Sequence, residues 1–406
     1  MAADAKADDT SADRTATLTE ADVLAMVDEV LAAHPPATTS RPDFLGARFD
    51  AGLGWVHFPV GLGGLGLPVQ LQRPVDARFA AAGAPDGRMV NTTAYGQGAA
   101  TIVAYGTPEQ KQRYLRPIFT CEEIWCQLFS EPGAGSDLAS LATRAVKDGD
   151  EWIVNGEKVW TTRGHLARFG LLLARTDPDV EKHTGLTYFV LDMAQPGVEV
   201  RPLRQMTGDS SFNQVFMRDA RIPDHERLGD VGQGWAVSHT TLMSERVGIA
   251  GGIGRGPANP MDNALGLWRQ REDKTSAAAL ALKARMMHVW ADAEVNRLTS
   301  ARAVAMQQAG KAGPEGSIGK LAGAVLGARM AEITLDLLGP YGMLFGDYDE
   351  KGAAPTSQRS FVGSPSGSLA GGTNDIQRNI IGDRVLGLPR EPAADKGIPW
   401  SKTLRS

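Results

Sequence analysis

The order of local signals along the chain predicts an α+β protein in three parts: helices, then grouped strands, then helices again. Three observations carry that prediction. Helical periodicity occupies residues 19–125, short β-rich runs split by turn residues occupy 126–236, and helical periodicity returns over 237–390. No GxGxxG follows a strand, no βαβ alternation is present, and no internal repeat is found, so the pattern is not that of a dinucleotide fold.

Residues 1–18 lack aromatic side chains and periodic apolar positions, and they read as a disordered lead-in. In "LTEADVLAMVDEVLAAH", Leu18, Val23, Met26, Val30 and Leu31 recur at helical spacing. "TPEQKQRYLRPIF" predicts a helix opened by Thr107 as its N-cap, with Pro108 at the first helical position. Between them, "GLGWVHFPVGLGGLGLP" is too glycine-rich for a regular element and reads as a tightly packed loop.

The β-rich part contains "DEWIVNGEKVW", in which Asn155-Gly156 predicts a hairpin turn between two short alternating runs. "GLLLAR", "TGLTYFVLDM", "VEVRPLR" and "NQVFMRDARIP" follow as further strands. The long Ala-rich stretch 275–308, then 317–339 and 374–388, read as helices, and 391–406 is left as a tail.

Composition narrows the function. Hydrophobic residues are 42% and charged residues 22%, ordinary for a globular protein, and a net charge of −5 without a basic run argues against nucleic-acid and anionic-membrane partners. The expected location is the cytoplasm: Cys121 and Cys126 fit neither a CxxC motif nor a disulfide framework, and the acidic N-terminus does not resemble a signal peptide. No stretch is long and apolar enough to predict a membrane span. The seven histidines include no i, i+4 pair, and HExxH, paired CxxC and GxSxG motifs are absent, so no metal site is expected.

Two segments could carry chemistry. "CQLFSEPGAGSDLA" places Ser130, Ser136 and Asp137 among glycines, a loop able to grip a polar planar ligand or simply a capped connection into the β domain. "VWTTR" ends a strand, where Trp160 is either a ligand-facing ring or an ordinary core tryptophan, and Thr161 and Thr162 offer hydroxyls.

Together, "SEPGAGSD", "NGEKVWTT" and "GGTNDIQRNIIGDRVLGLPR" resemble the acyl-CoA dehydrogenase family, over residues 20 to 390 or so. The resemblance implies an N-terminal helical domain, a central β domain and a C-terminal four-helix bundle, with FAD held between the last two. It implies that Phe129, Ser130 and Ser136 hydrogen-bond around the flavin ring and its phosphates, that Trp160 shields the ring, and that Thr162 meets flavin N5. Thr373 and Asp375 match positions that contact the adenosine half of FAD, while Thr373 also suits an N-cap. In "LLGPYGML", Gly339 and Gly342 match an inter-subunit flavin contact and equally suit a helix C-cap and turn. The family's Arg-x-x-Phe-Gly segment is missing; "LWRQREDKTSAAA" offers Arg269 and Arg271 without the Phe-Gly.

A second departure concerns the base. Much of the family carries a carboxylate just before the last Gly-Thr, where this chain has Ala370 and Gly371. One branch places it instead on an upstream helix, and "LMSERVGIAGG" matches that branch at Glu245. On a helix, Glu245, Gly248 and Gly252 share one face, while Leu242, Arg246, Ile249 and Ile253 share another. Each glycine costs about 1 kcal/mol relative to alanine, so the bare stripe suggests close approach by a ligand or by a neighbouring helix; in the latter case Glu245 is a structural ion-pair partner.

The resulting expectation is an FAD-dependent acyl-CoA dehydrogenase with Glu245 as catalytic base and Arg246 and Gly371 near the acyl-CoA substrate. The implied partners are an electron-transferring flavoprotein and further subunits, as a homo-dimer, a tetramer or a hetero-oligomer with a related chain. The alternatives on the same fold are a flavin oxidase or monooxygenase, a non-catalytic partner subunit, and, against the charge balance, a DNA-associated binding protein. Linear, branched and sterol side-chain acyl groups are all compatible with the sequence.

Overall fold

The structure is a computed structural model that describes residues 18–250, 261–308, 313–344 and 356–403, with the side chains of 244–250, 304, 307 and 308 outside the description. The predicted lead-in lies outside it except for Leu18, as do Gly252 and Ile253.

Helices α1 (Glu20–Ala33), α2 (Arg41–Asp50), α3 (Gln72–Ala81), α4 (Ala99–Tyr105) and α5 (Pro108–Thr120) form the N-terminal part. α1 starts where Thr19 and Asp22 satisfy each other's backbone N–H groups, a capping box, and it buries Val23, Val27 and Val30 on one face. α5 opens as the sequence predicts, with Thr107 as cap and Pro108 in the first turn. The glycine-rich loop packs its aromatic residues inward: Trp55 and Phe58 are buried with ring centroids 4.9 Å apart, and Trp55 also meets Phe119.

The β domain comprises β1 (Trp125–Leu128), β2 (Arg144–Asp148), β3 (Glu151–Thr162), β4 (Phe169–Arg175), β5 (Leu186–Asp192), β6 (Val198–Leu203), β7 (Phe212–Pro223) and β8 (Arg227–Leu228). The strand order is β6-β7-β3-β2-β4-β5-β8, with β1 parallel to β4. A single pairing, Arg144 with Arg175, joins the two halves, and their inner faces share one core of Trp152, Val154, Val215 and Ile222 against Leu172, Ala174, Phe189 and Leu191. The alternate residues Leu171, Leu173, Tyr188 and Val190 face the helices with Ile102, Tyr114, Leu115 and Val237. β4 and β5 are thus buried on both faces, which explains why "GLLLAR" is apolar without alternation.

The predicted turn at Asn155-Gly156 is not one. β3 runs unbroken past it, and the hairpin closes between β2 and β3 at Gly149 and Asp150. Asn155 reaches across to β7, where Oδ1 accepts the Asp219 N–H at 2.9 Å and Nδ2 donates to Asp219 Oδ1 at 2.9 Å. A Cβ on Gly156 would stand 2.4 Å from Thr143 Oγ1, and the register shifts between Val154 and Gly156. The dipeptide therefore marks a bulge at a close backbone approach.

The C-terminal part contains α6 (Gly234–Ala250), α7 (Asp262–Gln270), α8 (Ala277–Gln308), α9 (Gly316–Leu338), α10 (Thr356–Gly363) and α11 (Asn374–Ile380). α9 is central and packs against each of the others. Leu282, Met286 and Val289 of α8 meet Leu326, Ile333 and Leu337 of α9 in one core. Within the stretch expected as a tail, residues 395–403 dock on the β domain: Trp400 is buried, and its backbone N–H bonds the Val180 carbonyl at 2.8 Å. Among the described residues no helix is long and apolar enough to cross a membrane.

Candidate functional site

The loop after β1 and the end of β3 are brought together by a buried charge. The Lys158 ammonium, 0% exposed, donates to the Phe129 carbonyl at 2.9 Å and to Glu131 Oε1 at 2.8 Å. The Glu131 carboxylate also accepts the N–H groups of Ala142 and Thr143 at 2.7 and 2.9 Å. Burial raises the Glu131 pKa, but Lys158 and these hydrogen bonds outweigh it and hold the carboxyl below its ordinary value. Val159 N–H bonds the Ser130 carbonyl at 2.8 Å, so two segments separate in sequence form one wall. Glu131 and Ala134 exchange backbone bonds around the exposed Pro132-Gly133 tip, and Gly135, Ser136 and Asp137 follow on the surface.

Trp160 is no core tryptophan. It is 61% exposed and takes φ +60°, a conformation that is a real outlier for a bulky residue. The cause lies in β3, where a register shift between Lys158 and Thr161 re-aims the strand end. The indole stands edge-on to Phe212 at 5.9 Å, while Thr162, opposite Phe212 in the ladder, is half-buried. Strain of this kind persists where the surroundings impose it, and such positions cluster at ligand sites. An exposed indole face, a neighbouring hydroxyl and an open loop of small polar residues suit a planar heteroaromatic ring carrying a polar chain.

α6 runs beside this wall. The Thr241 hydroxyl lies 3.1 Å from the Tyr188 hydroxyl and 2.9 Å from that of Thr101, and Tyr188 in turn meets Phe129 edge-on at 5.7 Å. α6 is thereby tied to both the N-terminal helices and the Phe129 loop. Glu245 and Arg246 belong to the same helix, and their side chains lie outside the described residues.

The remaining expected residues lie in two turns among the C-terminal helices. Gly339 caps α9 at φ +58°, Gly342 is buried in the following turn, and Gln358 of α10 donates to the Tyr341 carbonyl at 2.9 Å. Thr373 caps α11 by accepting the Ile376 N–H at 3.2 Å, and the exposed Asp375 pairs with Arg378 at 2.7 Å. Gly371 takes φ +67° and Gly372 φ +90°. The buried Gln377, which the sequence reading did not single out, braces this turn by donating to the Gly371 carbonyl at 3.1 Å. Arg359 of α10 pairs with Asp209 of the β6–β7 loop and so ties the C-terminal helices to the β domain.

Sequence reasoning also passed over Lys158, Glu131, Tyr188 and Thr241. A signal existed for Lys158, which shares its parity in β3 with the inward-facing Trp152 and Val154. Among the described residues no group of three His, Cys, Asp or Glu side chains could hold a metal ion.

Comparison with known proteins agrees with this architecture. The chain matches the acyl-CoA dehydrogenase N-terminal domain at residues 12–122, the middle domain at 126–219 and the C-terminal domain at 232–386. It is 38% identical over 347 residues to acyl-CoA dehydrogenase IpdE1 of Mycobacterium tuberculosis, covering 84% of this chain and 86% of that protein. The ChsE4-ChsE5 complex from Mycobacterium tuberculosis superposes with a TM-score of 0.68 at 26% identity, covering 95% of this chain and 100% of the matched one. A glutaryl-CoA dehydrogenase from Mycobacterium smegmatis in complex with FADH2 superposes with a TM-score of 0.68 at 21% identity, covering 95% and 98% of the two chains.

Proposed function

The chain belongs to the acyl-CoA dehydrogenase family of FAD-dependent oxidoreductases, and we propose that it desaturates the α,β bond of a CoA thioester with Glu245 as the base. The observation that carries this reading is the tie from Thr241 through Tyr188 to Phe129. Position 245 follows Thr241 by one helical turn on the helix so anchored. The loop position where other members carry the acid is Gly371, whose left-handed backbone would strain any side chain by about 1–2 kcal/mol. This supports a carboxylate supplied from elsewhere.

In this reading Phe129, Ser130, Ser136, Trp160 and Thr162 hold the isoalloxazine ring and phosphates, and Thr373 and Asp375 hold the adenosine half. Bound FAD supplies the acceptor for the β hydrogen, which leaves as hydride. Glu245 takes the α proton, Trp160 covers the ring and keeps water out, and Arg246 and Gly371 border the thioester. Electron-transferring flavoprotein is the proposed oxidant for the reduced enzyme.

Further subunits complete the protein. On α8, Leu280, Met287 and Leu298 are exposed on the side opposite the buried Leu282, Met286 and Val289. A helix apolar on both sides implies cover on both. The turn that holds Gly339 and Gly342 leaves Tyr341 and Met343 exposed, suited to contact with a neighbouring subunit. Homo-oligomers and a pair with a related chain both satisfy this, and the ChsE4-ChsE5 complex favours the pair.

Glu245→Gln tests the assignment. With a panel of CoA thioesters under anaerobic conditions, bleaching of the flavin should slow by about 10²–10⁴-fold while the FAD spectrum is retained. Bleaching at the parent rate would remove Glu245 from the chemistry.

A further inference from the structure

The C-terminal segment Asp395–Thr403 makes its contacts next to the Ser136-Asp137 turn. Trp400 Nε1 donates to the Ser140 carbonyl at 3.2 Å, across 260 residues of sequence. The Arg175 guanidinium carbon lies 4.1 Å from the Trp400 ring centroid. Arg175 itself is 2% exposed and donates to the carbonyls of Ala139 at 2.6 Å and Leu141 at 3.1 Å. Three consecutive carbonyls, beginning two residues after Asp137, are thus held by Trp400 and Arg175.

A second contact repeats the arrangement. Lys182 Nζ lies 2.9 Å from both Asp137 carboxylate oxygens and 2.5 Å from Asp395 Oδ2. Asp137 also accepts the Ser140 hydroxyl at 2.5 Å. The segment is anchored independently of the loop: the N–H groups of Trp400 and Ser401 bond the carbonyls of Val180 and Pro178 at 2.8 Å each, and Ser401 Oγ bonds Asp179 at 2.9 Å.

We propose that this segment is a strap that positions the cofactor loop, with Trp400 acting through Arg175 and Ser140 and Asp395 acting through Lys182, so that FAD retention depends on residues 395–403. The proposal rests on the reading that the Phe129–Asp137 loop holds FAD. Trp400 and Asp395 touch neither the ring nor the substrate in this account; they are positioning residues that lower the entropy the loop loses on binding.

The test is reconstitution of full-length apoprotein with FAD, followed by flavin fluorescence and by melting with and without the cofactor. Trp400→Leu should weaken FAD binding about tenfold, the effect of one hydrogen bond and one cation–π contact. Trp400→Phe, which keeps a ring over Arg175, should fall between it and the parent. Asp395→Asn breaks a partly exposed pair and should weaken binding about 2–5-fold. Asp395→Asn also decides the matter if Trp400→Leu does not fold. Ser136→Ala separates the two readings. If it weakens FAD binding while both strap variants bind as the parent does, the strap proposal alone falls; if Ser136→Ala binds FAD normally, the loop reading falls and the strap proposal with it.

Discussion

Lys158 and Glu131 form an ion pair inside the β domain, Nζ to Oε1 at 2.8 Å, that fixes the Phe129 loop against the end of β3. Removing one partner leaves the other charged and buried. Glu131→Gln should therefore cost about 3–5 kcal/mol in urea unfolding, whereas Glu131→Gln combined with Lys158→Met should recover most of that loss. The double variant should also lose FAD affinity, because Lys158→Met takes away the donor to the Phe129 carbonyl.

Trp160 combines an exposed indole with a left-handed backbone. Trp160→Gly relieves about 1–2 kcal/mol of backbone strain and removes little buried surface. The apoprotein should melt no lower than the parent while FAD binding weakens. A drop in the apoprotein melting temperature together with unchanged FAD affinity would assign Trp160 to stability instead.

Thr162→Val keeps the shape of the side chain and deletes its hydroxyl. Stopped-flow reduction by substrate should slow about tenfold, the loss of one hydrogen bond, with FAD affinity near that of the parent. Equal rates in the two proteins would take Thr162 out of the mechanism.

Acid stability should depend on Asp224. The Trp152 indole N–H at 2.7 Å, with Lys147 and Arg227, holds its pKa at about 2, against an ordinary 3.8. Because the folded value lies below the unfolded one, the contribution is fully present above pH 4 or so and is lost as the pH falls towards 2. Asp224→Asn should melt lower at neutral pH and show a shallower fall in melting temperature between those limits.

Both thiols should resist alkylation in the native protein. Burial pushes Cys121 up to about 11 and Cys126 up to about 12. With thiolate the reactive form, iodoacetamide at neutral pH should label them roughly 10²-fold or more slowly than after unfolding in urea. Rapid labelling of the folded protein would contradict the packing around β1.

What the sequence determined by itself was local: the Thr107-Pro108 helix start, the burial of one face of α1, the strand runs of β4 to β7, and the three-part order of helices and strands. These follow from side-chain period and capping, which act within a few residues and leave a trace in any single chain. The motif "SEPGAGSD" was legible for the same reason, as a contiguous run. Tertiary structure alone decided the rest. Asn155-Gly156 carries turn chemistry, yet its partners Thr143 and Asp219 make it a bulge. Lys158 is a surface residue by type, and Glu131, 27 residues away, with the Phe129 carbonyl makes its burial tolerable. Trp160 is exposed because a bulge turned the strand end, and Trp400 is buried because Arg175 and Ser140 receive it. In each case the outcome depends on which distant group fills the space beside the residue, and that is set by packing of the assembled chain and not by the neighbours in sequence.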